Sequence, residues 1–373
     1  ATKPFDTADG ALSSRGIAFR LRREGDRWVQ TVNALGNGPL DREEHNVDRG
    51  QAHATGPAPE PQPELHADTV AGTLLLGALQ AASGPLAETY GTEMDRVTRD
   101  TAFQGGVVEM ALDTGRVIAH RGTPQEKEAR ICELELELKA GPLAGLAAIA
   151  ARWATRHGLY VSTISKAERG ERVLAPQWAR PATKASPMKT SGSLRHFLDG
   201  RALQRAAVAH CLHQILGNAS EIVEGGGDAE HVHQLRIGIR RLRTALRELA
   251  PLAPGAFNPA WEPPLVDVFQ RLGQLRDQGQ ALQSIVADLR DAGAPVSDVC
   301  TTTNGAPGAS AAAIVRTPAF QAALIDLMAF AAQGRNAPAA NGEDQALDAK
   351  DSRRMLQKRL RSLHAQVRHD VQD

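Results

Sequence analysis

The sequence predicts an α+β protein, with a strand-rich N-terminal half and a helical C-terminal half. The N-terminal half contains short stretches in which apolar and polar residues alternate, the pattern of half-buried strands. The clearest is Ile131–Lys139, I-C-E-L-E-L-E-L-K, where charges alternate with leucines. From Leu194 onward, apolar residues recur at helical spacing instead. Residues 176–192, rich in proline, serine and lysine, separate the two patterns and predict a linker.

The overall composition sets few limits on function. The 373 residues are enough for two domains, and 43 basic residues balance 43 acidic ones, so net charge indicates no partner. The three cysteines lie far apart and form no C-x-x-C pair, which favours a reducing compartment and argues against structural zinc. The sequence shows neither a leader nor an apolar run of membrane-spanning length. We therefore expect a cytoplasmic protein with no membrane partner.

The acidic strand has two interpretations. In an extended chain, Glu133, Glu135 and Glu137 share one face, and the leucines between them share the other. One interpretation is a half-buried strand whose charged face is solvated. The other is a wall of hard oxygen ligands for Mg²⁺ or Mn²⁺ inside a barrel.

Two further stretches of the N-terminal half have a clear pattern. Gly16–Thr31 predicts a β-hairpin that turns at Glu24-Gly25-Asp26, and its first strand presents Arg20 and Arg22 on one face. Leu143–His157 carries apolar residues at helical spacing. We expect this helix to close the first domain.

Two predicted helices of the C-terminal half carry a basic stripe beside a leucine stripe. On a helical wheel, the basic arc of His231–Leu249 contains His233, Arg236, Arg240, Arg243 and Arg247. Lys350–Val367 repeats the arrangement, with Arg354 and Arg361 among its basic residues. One interpretation is solvent exposure with helical ion pairs. The other is a basic channel, because arginine forks match phosphate oxygens. Aromatic residues make up only 4% of the chain, which favours polyphosphate over nucleic acid.

Together these segments resemble a CYTH domain, the triphosphate tunnel metalloenzyme fold, followed by a CHAD domain, an all-helical module associated with polyphosphate. The CYTH resemblance covers residues 1–175 and rests on five motifs: F-D-T-A-D-G-A-L at Phe5–Leu12, R-L-R at Arg20–Arg22, V-E-M-A-L-D at Val108–Asp113, C-E-L-E-L-E-L-K at Cys132–Lys139 and S-K-A-E-R-G at Ser165–Gly170. The CHAD resemblance covers residues 193–373 and rests on two motifs: H-Q-L-R-I-G-I-R-R-L-R at His233–Arg243 and L-G-Q-L-R-D at Leu272–Asp277.

The resemblance implies an antiparallel β-barrel closed around inorganic triphosphate or short polyphosphate. It further implies that the protein hydrolyses this substrate with Mg²⁺ or Mn²⁺ as cofactor. The residues that it assigns to triphosphate binding are Arg20, Arg22, Arg42, Arg99 and Lys166. The implied metal ligands are Glu44, Glu133 and Glu135, and the implied catalytic residues are Glu133, Glu135 and Asp113, with Glu109 and Glu137 as further tunnel candidates. The CHAD helices would hold polyphosphate and tether the protein to polyphosphate granules.

Several departures from the family pattern leave a second interpretation open. The family's first strand, E-x-E-x-K, would lie upstream of Phe5, where the chain begins A-T-K-P-F, and no second H-x-L-R motif precedes Asp373. We expect either a chain truncated at both ends or a divergent homologue from a gene with degenerate ends. Asn33 stands where the family places lysine, and Asn46 replaces an acid. The alternative is therefore a non-catalytic polyphosphate-binding protein with a degenerate CYTH domain. A third possibility, adenylyl cyclase activity on the same barrel, is disfavoured by the CHAD partner.

Overall fold

The fold divides into two compact units. The computed structural model describes residues 2–35, 42–53, 56, 58–120, 123–174, 179–188, 199–291, 310–333 and 346–370. The first unit comprises Ala1–Thr101, Val108–Glu137 and Ile164–Trp178. The second unit comprises Ala102–Val107, Leu138–Thr163 and Ala179–Asp373. Strands dominate the first unit and helices the second, so the predicted α+β class is confirmed.

The strands form one antiparallel sheet. They are β1 (Thr2–Asp6), β2 (Ala18–Glu24), β3 (Arg27–Leu35), β4 (Arg42–Gln51), β5 (Ala87–Glu88), β6 (Gly91–Phe103), β7 (Gly106–Ala119) and β8 (Lys127–Ala140). Their order is β4-β3-β2-β1-β6-β7-β8, and β5 pairs with β1.

The expected closed barrel is wrong for the residues that the structure describes, because their sheet is open. Closure requires every strand to pair on both sides. Here the edge strands β4 and β8 do not pair with each other. In the middle of the sheet, β1 meets β6 at a single register pair, Thr2 with Thr92. The sheet therefore has a polar face but no tunnel enclosed by strands.

The predicted hairpin is confirmed as β2 and β3. Glu24 pairs with Arg27, and Gly25 takes a φ of 59° at the turn, a conformation that glycine adopts without strain. Phe19 and Leu21 are buried on the apolar face of the sheet. Because side chains alternate, Arg20 and Arg22 lie on the opposite face, which we call the polar face.

Two helices, the first and the third along the chain, pack on this sheet. Helix α1 (Val70–Gln80) begins at Thr69, whose hydroxyl accepts a hydrogen bond from the Gly72 amide, and Leu75 packs with Phe19 in the apolar core. Helix α2 (Leu143–His157) belongs to the second unit. Helix α3 (Lys166–Leu174) places Val173 in a small cluster with Tyr90, Val117, Ala119 and Ile131. This cluster fixes α3 against β7 and β8.

The second unit is a helical bundle. Its further helices are α4 (Gly200–Glu224), α5 (Ala229–Leu249), α6 (Glu262–Asp291), α7 (Ala311–Val315), α8 (Pro318–Ala332) and α9 (Ala349–Asp370). Fully buried side chains from α4, α5, α6 and α8 meet in one core that includes Ile215, Ile239, Leu265 and Phe320. Helix α2 packs against α8. It therefore forms part of the helical unit, whereas the sequence pattern placed it at the end of the first domain.

The two basic helices differ in packing. In α5 the predicted apolar stripe is confirmed, because Leu235, Ile239 and Leu242 are fully buried. In α9 the stripe is not packed along its length, since Leu360 is 65% exposed and Val367 is 60% exposed. Spacing alone predicts which residues share a helix face but not whether another element covers that face.

The predicted linker, 176–192, lies partly outside the described residues. Its described part, 179–188, is hydrogen-bonded to the bundle through Thr183 and Asn218 of α4, and through the Arg180 carbonyl and His231 of α5. Among the helices that the structure describes, none combines the length and hydropathy needed to cross a bilayer.

Candidate functional site

The centre of the candidate site is Asp113, a carboxylate whose side chain is 0% exposed on β7. Arg96 of β6 donates through Nε to Oδ1 at 2.7 Å and through Nη2 to Oδ2 at 2.6 Å. Lys166 Nζ of α3 also donates to Oδ2, at 2.6 Å. A buried carboxylate is stable only when it is paired, and here two cations compensate one charge.

Glu133 and Glu135 of β8 extend this arrangement on the same strand face. Glu135 accepts a hydrogen bond from Lys166 at Oε1, at 2.6 Å, and from Arg96 at Oε2, at 2.7 Å. Glu133 accepts from Arg169 Nε at Oε1, at 2.9 Å, and its Oε2 lies 3.3 Å from Lys166 Nζ. The ion-pair cluster comprises Arg96, Asp113, Glu133, Glu135, Lys166 and Arg169. Its formal charges cancel.

The pairing keeps the cluster ionised. Burial alone would raise the pKa of Asp113, but hydrogen bonds from Arg96 and Lys166 outweigh burial and hold that pKa below its usual value. Burial alone would lower the pKa of Lys166, but its hydrogen bonds to Asp113 and Glu135 raise that pKa instead. Both groups therefore carry their charges at neutral pH.

Helix α3 is positioned by local sequence. Ser165 and Glu168 form a reciprocal pair at its start: the Glu168 carboxylate accepts from the Ser165 amide at 2.8 Å, and the Ser165 hydroxyl accepts from the Glu168 amide at 3.3 Å. At Gly170 an added Cβ would lie 2.6 Å from the ring of Tyr90, so only glycine fits there. The helix therefore sits close to the sheet with Lys166 and Arg169 directed at the carboxylates.

Arg20 and Arg22 form a cationic pair on the polar face. The Nε atoms of both are buried and hydrogen-bond to none of the described residues. Burial lowers the pKa of Arg20, and the neighbouring charges of Arg22 and Arg96 lower it further. Arg22 is paired with Glu24 at 2.5 Å, whereas Arg20 forms no salt bridge with any residue that the structure describes. Arg20 is therefore a buried guanidinium on the polar face without a salt bridge to a described residue.

Strands β3 and β4 continue the polar face. Asn33 lies opposite Glu44, and Thr31 lies opposite Asn46. Asn46 Nδ2 donates to Glu44 Oε1 at 2.8 Å, while the Oδ1 atom of Asn33 is buried without a partner among the described residues. Arg42 begins β4 opposite Leu35, but its side chain lies outside the described part of the chain.

In the helical unit, Arg236 of α5 lies against α6. Its guanidinium carbon is 4.9 Å from the centre of the Phe269 ring, a cation–π contact. Gly273 makes room for it, since an added Cβ would lie 3.0 Å from Arg236 Nη2. The Nε of Arg236 is buried without a partner among the described residues. This guanidinium is thus held in place while retaining an unused donor.

The rest of the basic stripe is more exposed. Arg243 pairs with Glu262 at 2.7 Å, and Arg247 pairs with Glu248 at 2.9 Å. Arg240 is exposed and forms no ion pair with a described residue, while His233 is half-buried. On α9, Arg354 and Arg361 are exposed.

Comparison with known proteins matches each unit to a family. A CYTH domain model matches residues 5–170, and a CHAD domain model matches residues 206–373. The chain carries a CYTH domain followed by a CHAD domain. It is also similar to the inorganic triphosphatase of Haemophilus influenzae, at 27% identity over 172 residues. That alignment covers 44% of this chain and 43% of the relative, so it spans less than half of either protein.

Enzymes with a CYTH domain generally use divalent metals, and the two families generally have phosphate or polyphosphate ligands. Oxygen is the donor that Mg²⁺ and Mn²⁺ prefer, so the carboxylates of the ion-pair cluster have suitable chemistry. Their arrangement does not fit a metal as it stands. Among the described residues, no group of three or more His, Cys, Asp or Glu side chains is placed to hold one. Glu133 and Glu135 bind cationic side chains instead, and Glu44 binds Asn46.

The structure brings together part of the predicted CYTH site. Asp113, Glu133, Glu135 and Lys166 meet in the ion-pair cluster, and Arg20 and Arg22 adjoin each other on the polar face. Arg99 does not join them, because it is exposed on β6 without an ion pair to any described residue. The arginine of β6 that meets Asp113 is Arg96.

Arg96 and Arg169 are the two members of the cluster that sequence reasoning missed. Arg169 lies in the S-K-A-E-R-G motif at Ser165–Gly170, and Arg96 lies three residues before Arg99, which the resemblance assigned to triphosphate binding. Choosing Arg96 over Arg99 requires the strand register. The spacing of Arg169, three residues after Lys166 on a helix, could have indicated it, since such residues share a face.

Proposed function

We propose that this chain hydrolyses inorganic triphosphate or short polyphosphate in a metal-dependent reaction at its CYTH domain, and that its CHAD helices bind polyphosphate. The observation that carries the proposal is the arginine pair Arg20 and Arg22, whose buried Nε atoms have no partner among the described residues. A buried donor without a partner costs about 1–3 kcal/mol, which an anionic ligand would recover. Guanidinium forks match phosphate oxygens bidentately.

The ion-pair cluster supports hydrolysis beside these arginines. Phosphoryl transfer is accelerated mainly by positioning and by charges that stabilise the transition state. Arg20 is near enough to Arg96 for their charges to interact, so a chain of phosphates bound at Arg20 would extend toward the cluster. There Arg96, Lys166 and Arg169 would offset negative charge on the transferred group.

The alternative, a non-catalytic polyphosphate-binding protein, is favoured by one observation. Each carboxylate of the cluster is already neutralised by a cationic side chain. A site that only binds phosphate needs no carboxylate free for a metal.

Phosphate release from tripolyphosphate, with and without Mg²⁺ or Mn²⁺, tests the proposal. Hydrolysis predicts metal-dependent release that Glu133→Ala or Glu135→Ala lowers at least about a hundredfold. Glu128→Ala is the matched control, because Glu128 lies on the same strand but pairs with Arg116 on the surface. No release from wild type, with polyphosphate still retained, would favour the binding protein.

Retention of polyphosphate by the CHAD domain is tested separately. Arg236→Ala combined with Arg240→Ala should abolish retention, whereas Arg271→Ala, which removes a surface partner of Asp267, should not. Binding through arginines should also weaken steeply as salt rises, because bound counterions are released. A flat salt response would contradict electrostatic binding.

A further inference from the structure

Helix α9 carries an apolar stripe that the bundle leaves uncovered. Leu360 is 65% exposed and Val367 is 60% exposed, while Leu356 and Leu363 on the same face are half-buried. In the part of the chain that the structure describes, no side chain of α9 belongs to the core of the bundle. Exposed apolar side chains that line up on one helix face indicate a docking surface.

The helix is attached to the bundle by contacts outside this stripe. Just before α9, the Leu347 amide donates a hydrogen bond to the Leu252 carbonyl at 2.8 Å. Ser352 is buried, and Arg359 pairs with Glu248 of α5 at 2.7 Å. These contacts fix the position of α9 without covering its apolar stripe.

The spacing of the stripe is that of a coiled-coil seam. Its members follow one another at intervals of four, three and four residues, at positions 356, 360, 363 and 367. Apolar residues that recur about every 3.5 residues form the seam between two supercoiled helices. Leu360 and Val367 take heptad position a, and Leu356 and Leu363 take position d. So narrow a stripe suits another helix, whereas a helix that lies on a membrane needs a broader apolar face.

The residues beside the seam are compatible with a second copy of the same helix. Heptad positions e and g flank the seam and face the partner helix. Between Leu356 and Val367 these positions hold Gln357, Arg359, His364 and Gln366. The single arginine among them is already compensated by Glu248. Two identical helices can therefore align without a row of like charges along the contact.

The other basic residues of this part of α9 lie away from the seam. Arg354, Arg361 and Arg368 recur every seven residues at heptad position b, and we call them the arginine column. No Asp or Glu lies between positions 352 and 369. An acidic partner helix would be recognised through basic residues at e and g, and here the basic residues lie elsewhere. This arrangement favours self-association.

We propose that this protein forms a homodimer through α9, in which the seams of two copies pack against each other. The contact is isologous, because each copy contributes the same four apolar residues. The arginine columns stay on the outer surfaces of both helices. A dimer therefore presents two basic surfaces to one polyphosphate chain, and bivalent binding strengthens retention.

Sedimentation equilibrium of the full chain over a range of protein concentrations tests the dimer. Wild type should shift from monomer to dimer as concentration rises. Leu360→Gln with Val367→Gln should raise the dissociation constant at least about a hundredfold, because two apolar layers are lost. Lys358→Gln with Ala365→Gln is the matched control, since both residues are exposed at position f, opposite the seam. Wild type that stays monomeric at every concentration would overturn the proposal.

A second double variant distinguishes a dimer seam from a face that packs within one molecule. Leu360→Ile with Val367→Ile puts isoleucine at both a positions, which favours two-stranded coiled coils, so the dimer should tighten at least about threefold. If neither double variant changes the oligomeric state and the glutamine variant lowers the urea midpoint, the stripe packs in its own bundle and the proposal fails. Monomeric wild type that co-sediments with vesicles of equal parts phosphatidylcholine and phosphatidylserine would assign the stripe to a membrane instead.

Discussion

At the scale of single residues, Asp113 shows how strand alternation builds the site. In V-E-M-A-L-D, Asp113 is completely buried while Leu112 beside it is 41% exposed, the reverse of their intrinsic preferences. The carboxylate is stable there because Arg96 and Lys166 approach it from neighbouring elements. The burial of Asp113 is therefore stabilised by cations from neighbouring elements, and the residues next to it in the sequence do not provide this stabilisation.

We expect Asp113→Asn to destabilise the CYTH domain by about 1–3 kcal/mol, because hydrogen bonds between charged groups are lost while the shape is kept. The measurement is urea unfolding followed by circular dichroism. Asp48→Asn is the control, since Asp48 pairs with Arg27 at the surface and its loss should leave the unfolding midpoint unchanged. Equal midpoints for the two variants would show that the Asp113 pairs contribute nothing to stability.

A second buried polar residue, His66, lies on the apolar face. Its Nε2 faces Gln30 Nε2 at 3.0 Å and its Nδ1 faces His45 Nδ1 at 2.8 Å. Gln30 Oε1 accepts from Arg49 and from the Gln62 amide, which fixes Gln30 Nε2 as a donor. His66 must therefore accept at Nε2 and donate at Nδ1, so it is neutral.

Because of this histidine, the free energy of unfolding should decrease as the pH is lowered. Burial is the largest cause that lowers the pKa of His66 from 6.5 to about 4, and the neighbouring His45 and Arg49 lower it further. The unfolded chain takes up this proton near pH 6.5 and the folded chain only near pH 4, so the free energy of unfolding decreases between those values as pH falls.

The measurement is the urea midpoint at neutral pH and at about pH 5. His66→Gln should reduce the difference between the two midpoints, whereas His157→Gln, at an exposed position on α2, should preserve it. An undiminished difference in His66→Gln would assign the pH dependence to other groups.

At the scale of elements, α3 is a helix of nine residues whose stability depends on its contacts. Isolated helices of this length are unstable in water. The Ser165–Glu168 pair, the ion pairs of Lys166 and Arg169, and the packing of Gly170 on Tyr90 together hold it on the sheet.

Gly170→Ala should move α3 away from the sheet, because the added methyl group would lie 2.6 Å from the Tyr90 ring. We expect tripolyphosphate affinity to fall at least about tenfold, since Lys166 and Arg169 move with the helix. The measurement is calorimetric titration with tripolyphosphate. Gly77→Ala is the matched control: it lies in α1 with nothing within 4 Å of an added Cβ, and it should raise stability by about 1 kcal/mol. Equal affinities in the two variants would contradict the positioning role of α3.

At the scale of the whole molecule, the two domains carry separate cationic sites. The net charge of zero conceals them, because 43 acidic residues balance 43 basic ones over the whole chain. In the CYTH domain the cations surround carboxylates, whereas Arg236 in the CHAD domain lies over an aromatic ring.

Variants in one domain should therefore spare the function proposed for the other. Glu135→Gln should abolish phosphate release and leave polyphosphate retention intact, and Arg236→Ala with Arg240→Ala should do the reverse. Retention is measured by filter binding of long-chain polyphosphate, and release with tripolyphosphate. Loss of both functions in either variant, with circular dichroism unchanged, would mean that the two sites act as one.

Much of this architecture follows from sequence pattern. Alternation predicted the β2–β3 hairpin and the acidic strand, and helical spacing predicted α5 with its buried stripe. These features are local, because each depends on residues a few positions apart. The motifs also identified the two families, since they fix residue types at short spacings.

What the sequence by itself determined is which faces are polar, which residues share them and which families the two halves belong to. Only the tertiary structure decided that Arg96 and not Arg99 meets Asp113, that the described sheet is open, that α2 packs with the helical bundle, and that Lys166 occupies the meeting point of the carboxylates. Each of these depends on contacts between residues distant in the chain. Strand register and helix docking set such contacts, and spacing within one segment contains no information about them.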